Sequence, residues 1–166
     1  MSLEITAQSA LWFLPFVLPV CVWVAMSDLR TMKIPNTSVL TLTGIFVVIG
    51  LISLPLPDYA WRFSHLAVML VAGIAANAIG AMGAGDAKFI AAAAPFVALG
   101  DLGMLAILFS VTLVAAYVTH RAAKHSALRR LAPDWKSWSA GNKFPMGFAL
   151  GATLAIYLGL GALYGA

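Results

Sequence analysis

Charge is scarce in this chain of 166 residues: 10% are charged and 62% are hydrophobic. A soluble domain of this size cannot bury so much apolar surface. The mean hydropathy of +0.95 therefore points to an integral membrane protein. Cysteine is scarcer still. Cys21 stands alone in an apolar run, which excludes a disulfide framework and a CxxC zinc site and leaves a small buried hydrophobe as its expected role. The three histidines have no carboxylate or cysteine at ligand spacing, so neither a metal nor a cofactor is expected. No Ser/His/Asp set falls at a common depth. There is no basic n-region: the first charged residue is Glu4, and the apolar run after it is too long for the core of a cleavable signal peptide. Internal repeats and low-complexity segments are also missing, so residues 1–166 read as one domain. The formal charge of +4 then bears on orientation in a membrane, not on nucleic acid.

What is present is a series of apolar runs. A helical span needs about 20 mostly apolar residues, and six segments qualify or come near it: Ile5 to Ser27, Thr37 to Leu54, Phe63 to Met82, Ala87 to Gly100, Leu102 to Thr119 and Phe144 to Tyr164. The fourth is short, with a rise of about 21 Å. If all six cross with the N-terminus outside, nine of the ten basic residues face the cytoplasm and only Arg62 lies outside. If the fourth turns back, the split becomes three inside and seven outside. The positive-inside rule therefore favours an all-α integral membrane protein, a bundle of six transmembrane helices with both termini outside, in the periplasm. The loop from His120 to Lys143 is basic and reads as a cytoplasmic extension of the fifth helix near anionic lipid headgroups, with Trp135 and Trp138 at the interface. His65 falls near the outer interface, and His120 and His125 in the basic loop.

Six acidic residues are available. Glu4, Asp58, Asp101 and Asp134 read as ordinary loop charges. Asp28, in "AMSDLRTMKIPN", and Asp86, in "GAGDAK", differ. The first and third helices both run outside to inside, so both aspartates reach the same inner boundary. A carboxylate near hydrocarbon is costly and is a functional candidate by default. Two that face each other split their titration and share a proton, the state an aspartic protease uses. The ionised partner takes a proton from water while the protonated one donates to the scissile carbonyl.

The glycines around Asp86 admit two readings. Gly83 and Gly85 expose backbone, so that an extended peptide can approach. Alternatively, Gly80 and Gly83 are helix-packing residues and Gly85 is a helix stop. Lys88 either snorkels to the inner interface or biases the nearby carboxylates toward ionisation. Pro35 sets an extended entry and Asn36 caps the second helix. Asn77, inside the third helix, is expected to hydrogen-bond across helices.

Three elements, "SDLRTMKIPN" at 27–36, "GAGDAKF" at 83–89 and "KFPMGFALG" at 143–151, together resemble the prepilin peptidases, membrane aspartic proteases of the GxGD type. The resemblance implies that Asp28 and Asp86 are the catalytic pair, with Gly83 and Gly85 in the motif around Asp86. It implies cleavage of the basic leader of a type IV prepilin or pseudopilin, just before the substrate's hydrophobic helix, at the cytoplasmic face of a bacterial inner membrane. Many relatives carry a cytoplasmic region with paired cysteines that methylates the product. This chain has one cysteine and short loops there, so it resembles the peptidase-only members of Flp (tight-adherence) pilus systems. Two other classes stay open on the residues alone. One is a small transporter or channel whose aspartates bind a cation or relay protons. The other is a non-catalytic subunit of a pilus or secretion machine.

Overall fold

A computed structural model describes residues 3–141 and 143–166. The described residues hold six α-helices: α1 (Ala7–Thr31), α2 (Asn36–Ser53), α3 (Leu56–Ala78), α4 (Ala84–Ala93), α5 (Leu102–Lys124) and α6 (Met146–Tyr164). Among the described residues there is no β-strand, only a parallel bridge between Leu3 and Gly165. Among the described residues, five helices are long and apolar enough to cross a membrane; α4 is not one of them.

The expected fourth span is the main departure. Residues 84–93 form ten residues of α-helix, a rise of about 15 Å. Short 3₁₀ turns at Ala94–Phe96 and Leu99–Asp101 follow. Pro95 lacks a backbone donor and cannot extend the α-helix. The third helix starts earlier than its apolar run, at Leu56. Proline in the first turn costs no hydrogen bond there, and Asp58 complements the positive end of the helix. The fifth helix continues to Lys124, which is the extension expected of the basic segment.

Helix α1 runs through the middle of the bundle. Thr6 caps it by accepting from the backbone N–H of Ser9 at 3.2 Å. Its interior prolines, Pro15 and Pro19, are tolerated as they are in membrane helices. Against it lies α6, and glycine makes the approach possible. A Cβ on Gly151 would stand 2.8 Å from the Cys21 carbonyl oxygen, and one on Gly161 2.9 Å from Ile5. Such small-residue contacts hold membrane helices by close van der Waals packing. Cys21 is buried in this seam, as expected of a small hydrophobe. Phe13, Phe46 and Phe96 form an aromatic cluster extended by Tyr59 and Phe63.

The two chain ends meet. The N–H of Leu3 donates to the Tyr164 carbonyl at 3.0 Å and that of Ala166 to the Leu3 carbonyl at 3.1 Å. Asp101 completes this end, and it is no ordinary loop charge. It is buried, accepts from the N–H groups of Glu4 and Ile5 at 2.7 and 3.0 Å, and accepts from the Tyr157 hydroxyl at 2.7 Å. Glu4 is likewise engaged, accepting from the Gly100 N–H at 2.6 Å. A carboxylate that receives several donors can lie in the interior.

The basic segment also departs from expectation. Trp138 is buried within the fold. Its ring stacks on His120 at 5.0 Å and on Trp135 at 5.5 Å, and its indole N–H donates to the Ala132 carbonyl at 2.7 Å. His120 is not in a loop but within α5, and it is buried.

Candidate active site

Asp28 lies in the last turn of α1, only 6% exposed. The helix ends just beyond it. Met32 adopts the left-handed conformation (φ 57°), and its N–H returns to the Asp28 carbonyl at 2.8 Å. Glycine usually takes such a position, so a methionine here marks a backbone held by its surroundings. The Ser27 hydroxyl donates to the Lys33 carbonyl at 3.0 Å and pins the turn. Pro35 is extended as expected and itself forms the N-cap of α2. Asn36 is therefore the first helical residue, and the expected Asn36 side-chain cap is absent.

The carboxylate of Asp28 has a partner that its sequence neighbourhood does not reveal. Oδ2 accepts from the backbone N–H of Gly147 at 2.6 Å, across 119 positions of chain. Gly147 is in the first turn of α6, directly after Pro145 and Met146. The first N–H groups of a helix lack internal acceptors, and its N-terminus favours negative charge. A side chain at 147 would collide: its Cβ would lie 3.0 Å from both Cβ and Oδ2 of Asp28 and 3.1 Å from Cδ1 of Ile34.

Asp86 is the third residue of α4, whose N-cap is Gly83. Its carboxylate folds back over the cap, so that a Cβ on Gly83 would stand 2.7 Å from Oδ2. This is the position from which a capping-box acid reaches the start of its own helix. Gly83 therefore leaves room for the Asp86 carboxylate. Gly85 is not a helix stop but the second residue of α4, 3.3 Å from Ile34 at its Cβ position. The stop falls to Gly80, in the left-handed region at φ 74°. Asn77 does not bond across the bundle: its Nδ2 donates locally to the Met82 carbonyl at 2.9 Å, closing the α3–α4 turn.

Ile34 joins the two halves, because it packs against Gly147 on one side and Gly85 on the other. Asp28 and Asp86 thus sit at the same end of the bundle, on either side of Ile34 and its two glycine contacts. Lys88 donates to Asn36 Oδ1 at 3.1 Å, which ties α4 to the start of α2. The arrangement can therefore hold two carboxylates of different exposure, Asp28 buried and Asp86 half-buried, beside an exposed glycine turn.

His65, His120 and His125 are not part of this assembly. Gly147 falls in the "KFPMGFALG" element, but its contact with Asp28 and the place of Ile34 between the two halves were missed by sequence reasoning. The available signal was the proline-glycine pair opening the last helix, which marks a helix start free of side chain.

None of the curated proteins and none of the solved structures matches the chain. The type IV leader peptidase family does match, over residues 15–119. That stretch contains both aspartates and the glycine turn. It covers more than half of the chain, and the chain belongs to the type IV leader peptidase family.

Proposed function

We propose that this protein removes the leader peptide of a type IV prepilin of the Flp class, with Asp28 and Asp86 as its catalytic pair. Membership of the peptidase family gives the reaction class and prepilins as substrates, and it offers no support to the transporter alternative. The single observation that carries the site assignment is that Ile34 stands between Gly147, whose N–H holds Asp28, and Gly85, the neighbour of Asp86. One carboxylate, ionised, takes a proton from water as the oxygen attacks the scissile carbonyl carbon. The other, protonated, donates to the carbonyl oxygen. Collapse of the tetrahedral intermediate breaks the C–N bond, and a carboxyl proton passes to the leaving amine.

The N–H of Gly147 holds one oxygen of Asp28 and so orients the other. Gly83 keeps the approach to Asp86 free of side chain. Lys88, Asn36 and Pro35 position α4 against α2. The weight of basic residues supports placing this end at the cytoplasmic face and both termini outside, and the family supports a bacterial inner membrane. No cofactor enters the scheme. The test is cleavage by the purified protein of a prepilin bearing its leader, with product masses that locate the cut. Cleavage just before the hydrophobic helix is expected. Failure to cut any leader-bearing pilin would overturn the reading.

A further inference from the structure

A cleft of about 630 Å³ opens between the start of α1, the first turns of α3 and residues 98–99. It lies at the end of the bundle away from Asp28, which is about 30 Å along α1 from Ala7. The cleft shares no residue with the aspartate site, and leader cleavage makes no use of it.

Its walls carry charge of both signs: the carboxylates of Glu4 and Asp58 and the guanidinium of Arg62. Arg62 spends one N–H on the Pro95 carbonyl at 2.9 Å, and a guanidinium has five. Ser53 and His65 also line the cleft. The depth is also marked. Trp61 lines the cleft and is 62% exposed, and an exposed tryptophan on a membrane helix sits at headgroup level.

We propose that this cleft binds the zwitterionic aminophosphate headgroup of a membrane phospholipid, phosphatidylethanolamine. The phosphate pairs with Arg62, while the ammonium lies between Asp58 and Glu4. The balance of charge selects this headgroup. Two carboxylates against one guanidinium disfavour an anionic lipid such as phosphatidylglycerol. A choline headgroup has no N–H to give to the carboxylates.

The test is native mass spectrometry of the full chain, equilibrated in neutral detergent with equal amounts of phosphatidylethanolamine, phosphatidylglycerol and phosphatidylcholine of identical acyl chains. The expected result is at least fivefold greater retention of phosphatidylethanolamine than of either competitor. Asp58 is exposed and makes no hydrogen bond among the described residues, so Asp58→Asn should stay folded, with a small drop in melting temperature from the lost charge at the start of α3, and lose the preference. Arg62→Gln should release lipid of every headgroup, with folding checked by melting. Equal retention of the three lipids, or an unchanged preference in Asp58→Asn, would overturn the proposal. Thermal stabilisation by free phosphoethanolamine equal to that given by the lipid would also overturn it, in favour of a soluble ligand. Leader cleavage is not read in any arm, so this result is independent of the peptidase assignment.

Discussion

The backbone N–H of Gly147 donates to Asp28 Oδ2 at 2.6 Å and joins the first helix of the bundle to the last. The contact leaves no space for a side chain. Gly147→Ala puts a methyl group 3.0 Å from the carboxylate and 3.1 Å from Ile34. Misplacement of a reacting group by about 1 Å can cost about 100-fold; the smaller shift needed here should still give a clear loss of cleavage rate. Gly159 in the same helix has nothing within 4 Å of its Cβ position. Gly159→Ala should therefore keep full activity. Initial rates of leader cleavage for the two variants, measured side by side, check this.

Asp101 should matter to folding and not to chemistry. It receives three donors at the end of the bundle opposite Asp28. Asp101→Ala leaves those donors without their acceptor in a buried site, a cost of about 1–3 kcal/mol for each unsatisfied group. Tyr157→Phe loses its donor to Asp101 and the acceptor of the Ala98 N–H, so a smaller loss is expected. Thermal melting in detergent reads both. The folded fraction of each variant should cleave at the native rate.

The α3–α4 contact is tight beside the site. A Cβ on Gly73 would stand 2.9 Å from the Ala87 Cβ, and Ala87 follows Asp86 directly. Gly73→Leu must push α3 away from α4. Overpacking of this kind costs about 1–3 kcal/mol, and the turn carrying Gly83 should shift with it. Lower kcat at unchanged expression is the expected outcome, measured by cleavage per mole of folded protein.

A pair that needs one ionised and one protonated carboxyl has a two-sided pH dependence. As the pH falls, the base is protonated and the rate drops. As it rises, the acid is lost and the rate drops again. A bell-shaped kcat/KM profile is expected, and its two limbs belong to the pair and not to either residue alone. A profile with a single rising limb and a flat plateau would contradict paired action.

The part of this architecture legible in the sequence was the part encoded locally. Apolar runs located the long helices, and the "GAGD" and "SDLR" stretches singled out Asp86 and Asp28. Residues whose role depends on distant partners were not legible. Asp101 looks like a loop charge in "LGDLG" until the chain start and Tyr157 close on it. Gly147 looks like a packing glycine until Asp28 arrives from 119 positions away. Proline misled in one place only: in "LPLPD" it opens α3 instead of separating two spans, because the first helical turn requires no donor from it. The burial of Trp138 was not legible either, because the His120 ring it stacks on comes from 18 positions away.

The central claim is that Asp28 and Asp86 act as one catalytic unit. The most direct measurement is the initial rate of prepilin leader cleavage by Asp28→Asn, Asp86→Asn and the double variant, each with its melting temperature recorded. Residues that act as a unit are strongly non-additive. Each single change should lower the rate by about 1,000-fold or more, and the double variant should be no slower than the slower single one. Substantial cleavage by either folded single variant, or losses that multiply in the double variant, would contradict the account.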